Sequence, residues 1–333
     1  MLRVPFNEMK AEFYRVLLKL GFKEERAELC ARLFAENSLD GVYTHGLNRF
    51  PRFVGDIKNG RIMKDAQPEK MTSFGAIESW NGNLGPGNLN AHFAMDRAIE
   101  LARENGLGCF ALNNTTHWMR GGTYGWQAAE AGCIGICWTN TTPLMPPWGS
   151  DEGKLGNNPL ILAVPHNGEH IVLDMSLTMF SFGKLESCIA KGALLPVDGG
   201  YDNEGNLTSD PKAIIQSKRP MPIGCWKGTG LALLLDLIAM SLSGGNSTLQ
   251  LGQAENKGGV SQVFLAIDIS KLSQREFIPS LIDEIIKDLH GAKPIKEGER
   301  IFYPGERALI LRRENFKQGI PVEEVFWQQV LEM

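Results

Sequence analysis

With 333 residues, 43% of them hydrophobic and 22% charged, the chain can bury a sizeable core and reads as an ordinary globular protein of two or three structural units. Its 34 basic and 38 acidic residues give a net charge of −4 with no block of either sign, so the concentrated basic face that nucleic acid demands is missing. The opening residues lack the apolar core and cleavage site of a secretory signal, and the longest apolar run, 231–240, is broken by Asp236 well short of the roughly 20 residues that span a bilayer.

The first element is helical: Met9, Phe13, Val16, Leu17 and Leu20 recur at helical spacing until Gly21 stops the run. A second helix is expected over 24–37, with Ala27, Cys30, Ala31 and Phe34 on one face. A turn-rich break at 40–46 leads to a third helix over 47–58, closed by Asn59 and Gly60. Composition shifts near Gln67 and Pro68. Beyond it come a loop at 81–87, a helix at 88–105 and a strand at 108–112, followed by a helix at 123–131 and strands at 133–139, 160–164 and 171–175. Later elements are a long helix at 229–243, a strand at 262–269 and a helix at 275–290. Helices at both ends around a mixed centre predict an α/β (α+β) protein with a discontinuous helical subdomain beside a sheet. The expected division is a helical region over residues 1–66, a mixed region over 67–270, and a C-terminal region over 271–333 that returns to the helices. The six cysteines are scattered, which suits a reducing compartment, and a cytoplasmic location is expected.

The nearest approach to a dinucleotide fingerprint, Gly106 to Ala111, has a helix before it and an apolar strand after it, so a Rossmann domain is excluded. A better anion site is Gly224-Cys225-Trp226-Lys227-Gly228-Thr229-Gly230 ahead of an apolar helix, where backbone N–H groups and the helix's positive end can meet a phosphate. A tight turn that happens to start a helix would look the same.

His45 can protonate a carbonyl oxygen, and Arg49, one turn further if a helix begins near Gly46, can hold a carboxylate with its planar fork. A satisfied turn histidine and a solvent-facing arginine are the bland alternative. His117 lies in a polar, glycine-containing loop at a strand end, where local hydrogen bonds could equally explain it. Asp174 ends an apolar strand, where it can orient an imidazole or merely cap a helix. His92, His166, His170 and His290 have no suggestive spacing. No metal motif of the H-E-x-x-H or paired C-x-x-C type is present, and no metal is expected.

These residues carry a resemblance. Gly41 to Phe53 with Thr44-His45-Gly46-Leu47-Asn48-Arg49 at its centre, the segments 117–126, 145–149, 173–176 and 195–200, and Trp226-Lys227-Gly228-Thr229-Gly230 together resemble the malate/L-lactate dehydrogenase family that lacks a Rossmann fold, also called sulfolactate dehydrogenase-like. The likeness runs along nearly the whole chain. It implies a homodimer whose cofactor lies against a largely antiparallel sheet, with His45 as proton donor. Implied cofactor contacts are His170, Ile171, Val172, Leu173, Asp174, Met175, Ser176, Trp226, Lys227, Gly305, Glu306 and Arg307. Of 303–307 only Pro304 and Gly305 match the usual pattern, and 184–193 also departs from it. The reaction implied is NADH-dependent reduction of 2,3-diketo-L-gulonate at C2 to 3-dehydro-L-gulonate, within L-ascorbate breakdown, with NADPH left open. Alternatives are a malate-, lactate- or ureidoglycolate-type dehydrogenase, a hydrolase using His45, Asp174 and a serine such as Ser176 or Ser181, and a noncatalytic sugar-acid binding protein.

Overall fold

The computed structural model describes residues 2–253, 259–272 and 277–333. A short strand, β1 (Arg3–Val4), precedes three helices, α1 (Phe6–Lys19), α2 (Glu24–Leu39) and α3 (Phe50–Lys58). The expected stripe of α1 is buried at Met9, Phe13, Val16 and Leu17, and that of α2 at Ala27, Cys30, Ala31 and Phe34. The third helix starts at Phe50 rather than 47. Residues Tyr43–His45 and Leu47–Arg49 instead form two separate tight turns. The cause lies at the end of α2: Asn37 Nδ2 donates to the His45 carbonyl (2.9 Å) and the Leu47 N–H donates to Ser38 Oγ (2.8 Å), drawing the segment onto α2.

The chain then enters the sheet through β2 (Glu69–Phe74) and β3 (Ile77–Asn81), crosses by α4 (Gly87–Asn105) to β4 (Leu107–Thr115), and continues through α5 (Gly122–Glu130), β5 (Cys133–Thr139), β6 (Leu160–Val164) and β7 (Ile171–Met175). A smaller lobe follows, with α6 (Phe182–Ala190), β8 (Gly200–Tyr201), β9 (Leu207–Thr208) and α7 (Pro211–Ser217) around Leu185, Cys188, Leu195 and Ile214. Then come α8 (Trp226–Ser243), α9 (Thr248–Gln253) and β10 (Val260–Asp268). Among the described residues the main sheet has seven strands in the order β2-β3-β4-β10-β5-β6-β7. Only β3 and β4 run parallel, and they are the pair joined by a crossover helix, as parallel neighbours require. Gly106 ends α4 and Leu107 opens β4, so its glycines precede a strand rather than a helix.

Alternation along the strands fixes both faces. Phe110, Leu112 and Phe264 point to α4 and α5, while Cys109, Ala111 and Val263 point to α8. Helices on both faces explain why β4 and β5 are near-continuous apolar runs. The strand β2 shows no signal in the sequence because its residues are exposed on both sides and carry no alternation.

The chain ends with α10 (Ile278–His290), α11 (Glu306–Gln318), β11 (Ile320–Pro321) and α12 (Glu324–Glu332). The expected start of the helix at 275 lies outside the described residues. β11 pairs antiparallel with β1, and α12 lays Trp327 and Val330 into the cluster of Met9, Phe13, Phe34, Phe50 and Phe53. The rings of Phe13 and Phe50 stack there at 4.2 Å. The helical subdomain is therefore built from both ends of the chain. Among the described residues no helix is long and apolar enough to cross a membrane.

Candidate active site

The tight turns after α2, the loop after β4 and the end of β7 converge. The ring of His45 stacks on that of His117 with centroids 5.7 Å apart and planes 20° from parallel. His45 Nδ1 lies 3.1 Å from Thr44 Oγ1. His117 Nδ1 accepts the Met119 N–H at 3.0 Å, so the proton of a neutral His117 ring resides on Nε2. The local bond foreseen for this loop therefore exists, and it fixes the tautomer. Thr123 Oγ1 donates to Asn37 Oδ1 (2.9 Å), tying α5 to the helix that carries the His45 turn.

Asp174 Oδ2 accepts the Gly122 N–H at 2.8 Å, so it caps the start of α5. It reaches His45 through its charge, not through a hydrogen bond. Burial pushes the His45 proton affinity down to about pKa 4. Arg49 and Arg120 act in the same direction, and Asp174 opposes them. His117 is pushed down as well, by burial first and then by Arg49, His45 and Arg52. Arg49 is lowered by burial and by Arg52, and partly offset by Asp56 and Glu186. Among the described residues no hydrogen bond or ion pair engages the Arg49 guanidinium. The two histidines thus sit neutral beside a cation whose nearest carboxylates, Asp56 and Glu186, act on it only at a distance.

The hydrolase alternative fails on geometry. Ser176 Oγ is engaged by Thr178 and by Asn157 Nδ2 (3.2 Å), and Ser181 caps α6 through the Lys184 N–H. Neither bonds to His45, so neither serine is activated by it.

The residues expected at the cofactor divide into two groups. His170 to Ser176 run along β7, which is an edge strand, and the Val172 N–H donates to the Pro304 carbonyl at 3.0 Å, bringing Gly305, Glu306 and Arg307 to the same edge. A Cβ on Gly305 would lie 3.1 Å from the Val172 backbone, and its φ of +95° is a glycine conformation. His170 Nδ1 accepts the His166 N–H, and its ring leans on Trp126. The Glu306 carboxylate is buried and occupied by His290, Arg300 and the Tyr303 N–H, which leaves only its backbone for a ligand. Arg307 lies over the Phe302 ring at 4.4 Å.

Trp226 and Lys227 lie exposed at the start of α8, and among the described residues no hydrogen bond or ion pair links them to the His45 cluster. The glycine-rich turn expected ahead of that helix is within it: α8 begins at Trp226, with Gly228 in its first turn. Gly228 is needed for packing, since a Cβ there would meet the Ile223 carbonyl at 2.1 Å.

A cavity of about 320 Å³ opens between α2, α5 and α11, lined in part by Glu36, Asp40, Thr123, Trp126 and Arg312. Trp126 Nε1 and Gln127 Oε1 in its wall are buried with no partner among the described residues. The backbone N–H groups of Arg307 and Ala308 likewise have no backbone acceptor among them. Unspent donors at the start of a 13-residue helix fit an anionic group. No group of three potential metal ligands converges among the described residues.

Sequence reasoning missed Asp40, Arg120 and Arg312. Asp40 accepts from Arg120 Nη1 and from Arg312 Nε (2.6 Å), and Arg120 Nε stands 3.9 Å from Asp174 Oδ2. Asp40 and Arg312 are 272 positions apart, and no local pattern joins them.

Comparison with known proteins gives the family. The family model described as malate/L-lactate dehydrogenase matches residues 4–331. The chain is 46% identical over 330 residues to a 2,3-diketo-L-gulonate reductase of Escherichia coli, covering 99% of both chains. Its structure is similar to the malate dehydrogenase of Entamoeba histolytica (TM-score 0.94, 26% identity, 99% and 96% of the chains). It is also similar to the sulfolactate dehydrogenase of Methanocaldococcus jannaschii (TM-score 0.90, 28% identity, 99% and 96%). The chain belongs to the malate/L-lactate dehydrogenase family and is an oxidoreductase acting at hydroxyl and keto groups.

Proposed function

We propose that the protein reduces the C2 ketone of 2,3-diketo-L-gulonate to 3-dehydro-L-gulonate with NADH, with His45 as proton donor. The observation that carries this reading is a half-buried, stacked imidazole pair beside an arginine whose guanidinium makes no hydrogen bond or ion pair among the described residues. Arg49 grips the substrate carboxylate through its fork. That carboxylate offsets one of the charges that keep His45 neutral, so the ring gains affinity for a proton as substrate arrives. His117, with its proton fixed on Nε2, donates a hydrogen bond to the same carbonyl, and His45 delivers the proton to the oxygen. Asp174 stabilises the charged ring before delivery.

NADH supplies the hydride. Its holders would be the β7 edge from His170 to Ser176 and the start of α11 at Gly305 to Arg307, with Trp226 and Lys227 contributing from the start of α8. The enzyme works in the cytoplasm as a homodimer. The exposed stripe Leu233, Leu234, Leu237 and Ile238 on α8 supports a surface that a second copy covers. The site lies where the two helical regions, residues 1–66 and 271–333, meet the mixed region, residues 67–270.

The test is an NADH titration by fluorescence followed by oxidation assays with diketogulonate, oxaloacetate, pyruvate and oxalurate. Selective turnover of diketogulonate supports the assignment. Preference for oxaloacetate or pyruvate would place the enzyme with the malate or lactate dehydrogenases, and absence of NADH binding would refute the cofactor.

A further inference from the structure

Asp40 is 6% exposed and Arg120 7% exposed, so both charges are out of water and must be compensated inside the protein. Asp40 takes two guanidinium partners, Arg120 from the loop after β4 and Arg312 from α11. Asp40 is shared between two cations: Glu36 and Glu130 also bear on Arg312, and Asp174 is the other carboxylate near Arg120. Arg120 Nε has no hydrogen-bond partner among the described residues, and Asp174 Oδ2 lies 3.9 Å away, beyond bonding distance. A pair kept only for stability would close that gap, because a buried donor without a partner is destabilising. An open buried donor of this kind calls for an explanation.

We propose that Asp40 and Arg120 are positioning residues of the reaction: Asp40, gripped by Arg312, holds Arg120 with its free Nε–H toward Asp174 and so links the seat of α11 to the charge balance at His45. The inference rests on the reading of His45 as proton donor.

The groups facing His45 are Arg49 from its own segment, Arg120 and His117 from the loop after β4, and Asp174 from β7. Those facing Asp40 are Arg120, Arg312 and Glu36, which lies one turn earlier on α2. Charge arithmetic around this set gives opposite signs for two substitutions. Arg120→Met removes a cation that repels the protonated ring, so the ring keeps its proton to higher pH. Asp40→Asn removes the anion that screens Arg120, so the ring loses its proton at lower pH. A defect of packing alone has no such sign.

The experiment is the pH profile of kcat/KM for NADH-dependent reduction, read at the limb where activity falls as pH rises. Arg120→Met is expected to move that limb up and Asp40→Asn to move it down, each by roughly half a unit or more. Arg120→Lys retains the charge and is expected to restore the limb to its wild-type position, with kcat still reduced. If Asp40→Asn does not fold, Arg312→Met serves in its place. The anion then bears on Arg120 alone, and the limb should rise. Limbs that stay in place overturn the inference, as do Arg120→Met and Asp40→Asn limbs that move in the same direction, or an Arg312→Met limb that falls. His45→Ala in the same series separates the two levels: wild-type turnover there refutes the proton donor itself, whereas a dead His45→Ala with unmoved limbs refutes only the role of Asp40 and Arg120.

Discussion

His166 and His290 each place a ring nitrogen 2.9 Å from a carboxylate, Asp283 and Glu306 respectively, and both bonds fasten α10 to the body of the protein. His45 and His117, stacked in the cleft, have no carboxylate within hydrogen-bonding distance among the described residues and face arginines instead. The residue type is the same in both regions, but the surroundings assign different work. A histidine with a counter-ion is a tether. One that is half-buried, faced by cations and stacked on its like stays neutral, and a ligand that changed the charge around it would raise its proton affinity.

The largest expected break in this comparison is at the cleft. His45→Ala should lower kcat by about 10²–10⁴-fold, the usual contribution of a positioned general acid, while NADH affinity stays near the wild-type value. Turnover measured by NADH absorbance checks the first half and fluorescence titration the second. Unchanged kcat would make the cleft histidine no different from the tethers.

Next is the response of stability to acid. His45 has its folded pKa near 4 against about 6.5 for a free imidazole, so the unfolded chain takes up the proton first as pH falls. The stabilising contribution is therefore complete above about pH 6.5 and is lost as pH falls toward 4, amounting to about 3 kcal/mol for this one ring. His117 acts in the same direction. Urea midpoints at a series of pH values should fall across that window, and His45→Gln should flatten the fall. Equal midpoints throughout would show that the rings are not held neutral by burial.

Much of this picture was legible in the sequence because its signals are local. The apolar stripe of α1 and the strands β5, β6 and β7 follow from spacing within a few residues. The turn chemistry misled at two places. Gly46 starts a tight 3-10 turn that runs into α3 rather than an α-helix, because Ser38 and Asn37 hold the chain there. The glycines at 228 and 230 lie within α8 and not ahead of it. What could not be read was long-range. Asp40, Arg120 and Arg312 meet only after both chain ends have folded onto the sheet. The tethers of His166 and His290 likewise depend on where α10 comes to rest.

A third test sharpens the contrast through the carboxylate. The Arg49 guanidinium makes no hydrogen bond or ion pair among the described residues, and a charged hydrogen bond to a substrate carboxylate would be worth about 1.5–3 kcal/mol. Arg49→Lys keeps the charge and loses the fork, so KM for the keto acid should rise roughly 10- to 100-fold with a smaller change in kcat. An unaltered KM would remove the carboxylate from Arg49.

The smallest effect is expected at the tether. Asp283 is 62% exposed at its side chain, and its bond to His166 is screened by water. Asp283→Asn keeps the shape and loses the charge, so unfolding free energy should fall by no more than about 1 kcal/mol. The substitution lies on α10, away from the His45 cluster, so kcat and KM should keep their wild-type values. Thermal melts and steady-state assays on the same preparation check both halves. A variant of Asp283 that melted normally but turned over slowly would mean that the clasp of α10 transmits to the cleft, and the division between tethering and reacting histidines would have to be redrawn.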